Sequence, residues 1–164
     1  MKKSKIVYVD MDDVIADFYK AAAHPIDGKV REERMFDPSF FLALDPVPGA
    51  KAGIFQLIKM GFDVWILSQP FSLLPESYSE KAQWIQLHFP QLVNKIILTQ
   101  DKGLNVGHFL IDDNEKKWQE KFERNGGKFV HFSYGGYNLD RMKNPEGLWS
   151  EIVEFFKTVD PYQD

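Results

Sequence analysis

Cysteine is missing from all 164 residues, which rules out both a disulfide framework and a thiolate metal site. Basic excess is missing as well, since 20 Lys and Arg stand against 24 Asp and Glu for a net charge of -4. Tracking a nucleic acid backbone or an anionic bilayer usually needs the opposite balance, so neither a nucleic acid polymer nor a membrane is expected as a partner. No run approaches the roughly 20 apolar residues of a membrane span. Residues 1–5 carry the charge of a signal peptide's start, but the apolar run after them ends at Asp10, too soon for the rest of one. The expectation is a soluble, cytoplasmic protein. Histidine is sparse, and His24, His88, His108 and His131 lack metal-ligand spacing, so they are read as surface or packing residues.

What is present is enough apolar material, 44% of the chain, for one ordinary core. Five short apolar or β-branched runs stand out at 5–9, 62–67, 95–99, 108–111 and 128–132. They are continuous rather than alternating, as strands covered on both faces require. Helical spacing fills 50–60, closed by Gly61, and 75–89, stopped by Pro90. It recurs at 114–125 before Gly126 and Gly127, and at 145–159 behind Pro145. This alternation predicts an α/β fold, a doubly wound parallel sheet. Only about eight residues, 100–107, join the third and fourth runs, so either one helical turn suffices or those strands are not neighbours. Residues 19–48 hold four prolines without strand pattern and read as a small cap inserted after the first strand of a single domain spanning 1–164. The four tryptophans fall in apolar-periodic segments and read as core, residues 135–138 as a turn, and residues 160–164 as a frayed tail.

In open parallel sheets ligands gather at the carboxyl ends of strands. Leaving the first four runs are Asp10 and Asp12, then Ser68, then Thr99 with Lys102 beyond, then Asp112 and Asp113. Two carboxylates about 4 Å apart repel by roughly 4 kcal/mol at an effective dielectric near 20. A divalent cation would neutralise such a cluster, and an all-oxygen donor set suits Mg2+. Asp13 and Asp17 are read instead as acids of a first helical turn. A carboxylate beside a metal can attack phosphorus, a second acid can shuttle the proton, and Ser68 with Lys102 can hold phosphoryl oxygens. Together these groups form a parts list for phosphomonoester hydrolysis.

The ordered segments DMDDVIADF, ILSQP, SEKAQWI, ILTQDKG and LIDDNE resemble the haloacid dehalogenase (HAD) superfamily of phosphatases. Residues 37–50, the EKxxW at 80–84 and the spacing from TQDK to IDD are most similar to the 5'(3')-deoxyribonucleotidases. The similarity runs from about residue 5 to 114. It implies Asp10 as nucleophile and metal ligand, and Asp12 as general acid/base lending its backbone carbonyl to Mg2+. It further implies Ser68 and Lys102 on the phosphate, Asp113 as the direct ligand of the late pair, and Asp112 in support. Lys81 matches a second lysine near the phosphate, with a solvated helix lysine as the plainer alternative. Phe18, Phe36 and Phe40 are candidates to stack a nucleotide base, although Phe40 and Phe41 could equally fill the cap's own core.

Three positions depart from the family pattern. Asp13 replaces a usual Gly, Gln69 replaces a hydroxyl residue beside the phosphate-binding Ser68, and Asn114 stands where relatives often carry Arg. The expected substrate is a small phosphomonoester, a deoxyribonucleoside monophosphate first. Another metabolite such as a sugar phosphate, a receiver-like phosphoacceptor module, and a binding protein without turnover are the alternatives. Nothing in the sequence fixes an oligomeric state.

Overall fold

The computed structural model describes residues 3–134 and 144–162. The turn expected at 135–138 and the last residues of the tail lie outside them. Five strands, β1 (Ile6–Val9), β2 (Asp63–Ser68), β3 (Ile96–Leu98), β4 (Phe109–Asp112) and β5 (Lys128–His131), form one parallel sheet in the order β3-β2-β1-β4-β5. Each apolar run became a strand because the sheet is covered on both faces. Val7, Val9, Val64, Ile66, Phe109 and Ile111 join one core, while Tyr8, Leu67, Leu110 and Phe129 join another across the sheet.

Among the described residues there are five α-helices: α1 (Phe18–Ala22), α2 (Ala50–Met60), α3 (Glu76–His88), α4 (Glu115–Glu123) and α5 (Pro145–Lys157). Residues of α2, α3 and α5 pack into the first core, and Trp118 and Phe122 of α4 into the second. Gly61 ends α2 in the left-handed conformation at φ 103, and its N–H closes on Ile58 and Leu57 carbonyls. Pro145 opens α5 behind Asn144, whose side chain accepts from Gly147 N.

The short link between β3 and β4 satisfies both conditions at once. It contains one 3-10 turn, Lys102–Leu104, and its two strands are separated by β2 and β1. Winding therefore runs from β1 outward to β3, then returns to the other side of β1. That reversal makes a topological switch point between β1 and β4. Their pairing extends past the strands, with Asp10 N donating to Ile111 O at 2.9 Å, which sets Asp10 beside Asp112. No helix among the described residues is long and apolar enough to cross a membrane.

Candidate active site

The chain leaves β1 into a tight loop, 11–16, whose apolar members Met11, Val14, Ile15 and Ala16 are all fully buried. Burial pins the loop, so the acids between them take fixed positions. Asp13 adopts φ 58, a left-handed backbone open to few residues besides Gly, Asn and Asp. Its Oδ1 accepts from Tyr19 N at 2.7 Å, and Asp17 Oδ1 accepts from Lys20 N at 3.2 Å. Both therefore cap α1 from outside rather than lying in its first turn, which corrects the sequence expectation.

At the switch point Asp10, Asp112 and Asp113 offer carboxylate oxygens that all lie within 4.8 Å of one another. Lys102, its side chain 1% exposed, reaches from the β3–β4 link to sit 2.6 Å from Asp10 Oδ1 and 2.6 Å from Asp112 Oδ2. Burial pulls the Lys102 pKa down, but the two carboxylates outweigh it and hold the pKa above its ordinary value. Asp112 has both oxygens engaged, since Oδ1 accepts from Asn114 N at 2.8 Å. Asp113 pairs with no cation among the described residues. Burial, with Asp10 and Asp112 repelling, pushes its carboxyl up to about 9, and burial with Asp10 pushes Asp112 up to about 6. A cluster so reluctant to ionise is what a bound divalent cation would relieve, and its hard oxygen donors fit one.

Lys81, reaching in from α3, is fully buried. It is thus no solvated helix lysine. Its Nζ donates to Asp12 Oδ2 at 2.6 Å and to Ser68 Oγ at 3.2 Å. Asp12 Oδ1 is buried without a partner, and burial raises the Asp12 pKa despite Lys81. Ser68 ends β2 fully buried. Above these groups opens a cleft of about 230 Å³ lined by Asp10, Asp12, Asp13, Phe18, Gln69, Lys102, Asp113, Asn114, Lys117 and Trp118. A larger groove of about 590 Å³ between α2 and α5, lined by Gly53, Glu146 and Trp149 among others, includes none of these acids.

The aromatic candidates separate. Phe18 lines the cleft, whereas Phe40 is 5% exposed and packs edge-on against Phe18 at 5.6 Å and Phe41 at 5.1 Å. Phe40 belongs to the core for the ordinary reason that two neighbouring rings enclose it. Phe36 is 54% exposed against Phe71, with ring centroids 5.3 Å apart. Neither Phe36 nor Phe40 lines the cleft. Lys117 and Trp118 do; sequence reasoning passed over Lys117 and read Trp118 as core, which it also is at 3% exposure. Their signal was their place in the first turn of the helix that follows the second acidic pair.

A family model described as 5' nucleotidase, deoxy (pyrimidine), cytosolic type C protein matches residues 23–144. The chain belongs to the 5'(3')-deoxyribonucleotidase family. A proposed 5'(3')-deoxyribonucleotidase of Vibrio phage KVP40 is 34% identical over 131 residues, covering 77% of this chain and 75% of the phage protein. The human cytosolic-type 5'(3')-deoxyribonucleotidase is 30% identical over 149 residues, covering 70% and 73%. In fold, the chain is similar to the crystal structure of a proposed haloacid dehalogenase-like hydrolase from Burkholderia xenovorans LB400. That match has a TM-score of 0.53 and 14% identity, and covers 93% of this chain and 96% of the other. As a deoxyribonucleotidase-family member the chain is a phosphoric monoester hydrolase of HAD type. The family match begins beyond Asp10 and Asp12.

Proposed function

We propose that the protein hydrolyses deoxyribonucleoside monophosphates through an aspartyl phosphate on Asp10, with Mg2+ as cofactor. The observation that carries this reading is the convergence of Asp10, Asp112 and Asp113 within 4.8 Å, with Lys102 bound to the first two. Asp10 and Asp113 would hold the cation, Asp112 would steady Lys102, and the Asp12 carbonyl would complete the protein's share of ligands. When bound, Mg2+ supplies positive charge to the phosphoryl oxygens.

Asp10 attacks phosphorus, the bond from phosphorus to the ester oxygen breaks, and the departing oxygen takes a proton from Asp12. Water then attacks phosphorus and gives a proton back to Asp12. The acyl phosphate bond breaks, so orthophosphate leaves and Asp10 is again a carboxylate. Lys81 supports this role by holding Asp12 through one oxygen and leaving the other without a partner. Lys102 fixes the Asp10 rotamer, and Ser68 and Gln69 are the further phosphate-side groups. Phe18 offers a face for a base, and the cap is the segment 19–48, which carries Phe40 behind Phe18 and Phe36 at the surface.

Phosphate release across deoxyribonucleoside monophosphates, sugar phosphates and p-nitrophenyl phosphate tests the reading. Continuous release with Mg2+, abolished by EDTA, is expected, with deoxyribonucleotides fastest. Asp10→Asn should lower turnover at least about a thousandfold at an unchanged melting temperature. A near-active Asp10→Asn enzyme would remove the nucleophile, and a single labelling event without turnover would favour a receiver.

A further inference from the structure

Among the described residues the cleft is walled by four carboxylates, Asp10, Asp12, Asp13 and Asp113, and by two ammonium groups, Lys102 and Lys117. Lys102 is already divided between Asp10 and Asp112. Lys81, behind the wall, is committed to Asp12. Lys117 differs: among the described residues it pairs with no carboxylate, and its Nζ donates to a neutral amide oxygen, Gln69 Oε1, at 2.6 Å. Lys117 lies on α4 after β4, and Gln69 follows β2. Because β1 runs between those strands, this bond spans the mouth of the cleft beyond Asp10.

Gln69 is itself held by a chain of side chains. Its Nε2 donates to Gln100 Oε1 at 3.1 Å, while Gln100 Nε2 donates to Tyr78 OH at 2.9 Å and to Pro70 O at 3.1 Å. These bonds turn the Gln69 oxygen toward Lys117. The face of Trp118 lies 4.8 Å from the same ammonium, a second contact that keeps it at the wall.

We infer that Lys117 is a phosphate-binding residue whose ammonium exchanges the Gln69 oxygen for a phosphoryl oxygen of the entering monoester. This rests on the phosphatase reading above. An ammonium bound to a dianion has charge on both sides and is stronger than one bound to an amide, so the exchange runs toward substrate. An entering dianion otherwise meets the acids of the cleft wall, and Lys117, the one cation of that wall among the described residues without a carboxylate partner, offsets part of that repulsion. The phosphoryl group is common to every monoester. The contribution of Lys117 is therefore the same whatever the rest of the substrate.

The test uses the full chain with Mg2+ and the variants Lys117→Gln and Lys117→Arg. KM and kcat are measured for a deoxyribonucleoside monophosphate and for p-nitrophenyl phosphate, and the Kd of inorganic phosphate by calorimetry. Lys117→Gln should raise both KM values by a similar factor, about tenfold or more, and weaken inorganic phosphate alike, with a smaller fall in kcat. Lys117→Arg should recover most of the loss, and all three melting temperatures should agree. Unchanged KM and phosphate affinity, a loss confined to the nucleotide, or an Arg variant as weak as Gln would overturn the assignment. If the wild-type chain hydrolyses nothing yet loses inorganic phosphate on Lys117→Gln, the phosphatase reading fails while Lys117 stands. Hydrolysis with unaltered phosphate affinity is the reverse, and absence of both hydrolysis and phosphate binding removes both.

Discussion

Lys102 binds two carboxylates at 2.6 Å while almost wholly buried, so the protein has concentrated its electrostatic risk on one side chain. Removing one partner from a buried ion group leaves uncompensated charge and costs about 3–5 kcal/mol. Lys102→Met should therefore lower the melting temperature in EDTA by roughly 10 °C, using the few degrees per kcal/mol of a domain this size. Millimolar Mg2+ should narrow the gap, because a cation restores the charge that Asp10 has lost. Calorimetry in both buffers checks this, and equal midpoints in EDTA would contradict it. Asp13 carries a different liability. Burial pushes its carboxyl up to about 8, against the pull of the Tyr19 N–H, with Asp12, Asp17 and Asp10 adding to the push. Its folded pKa exceeds the unfolded one, so between about pH 4 and pH 8 the native state binds more protons and stability falls as pH rises. Asn at this position keeps an oxygen for Tyr19 N, tolerates the left-handed backbone and has no charge to lose. Asp13→Asn should thus match the wild type near pH 4 and exceed it increasingly toward pH 8 in EDTA melts. A constant difference across that range would show that the Asp13 titration does not drive the trend.

Between elements, the close contact of α2 with α5 rests on one missing side chain. A Cβ on Gly53 would lie 2.2 Å from Trp149 Cε3 and 2.8 Å from Cδ2, closer than atoms can stand. Helix propensity alone would make Gly53→Ala stabilising by about 1 kcal/mol. Overpacking a core costs typically about 1–3 kcal/mol, so the clash wins and the variant should melt several degrees lower. A higher melting temperature would mean that Trp149 moves freely, contrary to its 1% exposure. Gly53 also shows what was legible in advance. The runs at 62–67 and 128–132 became β2 and β5, and the spacing at 50–60 became α2, because local pattern and burial agree there. That a small residue was needed at 53 depended on a partner almost a hundred residues away, and no window along the chain contains it.

At the scale of the molecule, the same division governs the site. Acids closing two apolar runs were legible because a parallel sheet brings strand ends to one edge, whatever the order of the strands. The occupants of the cleft wall were not, since Lys117 and Trp118 come from a helix face whose direction is set by packing on the sheet's second core. Phe40 failed as a wall residue for a similar reason: composition gives an aromatic, but only its neighbours decide whether it is enclosed. The loop that carries Asp12 and Asp13 is likewise held from outside. Val47 N donates to Ile15 O at 2.8 Å, Asp17 N to Asp45 O at 2.8 Å, and Tyr134 OH to Asp17 Oδ2 at 3.1 Å. From the far end of the chain, Trp149 Nε1 donates to Val14 O at 3.0 Å. Trp149→Phe keeps an aromatic beside Gly53 but leaves that buried carbonyl without its donor, a cost of about 1–3 kcal/mol. Because Val14 lies two residues from Asp12, the loosened loop should also place the acid less well, lowering kcat several-fold while KM changes little. Steady-state kinetics on the proposed substrates, paired with a melting curve, separates the two effects: a loss of stability with kcat intact would mean that α5 supports the fold without positioning the acid.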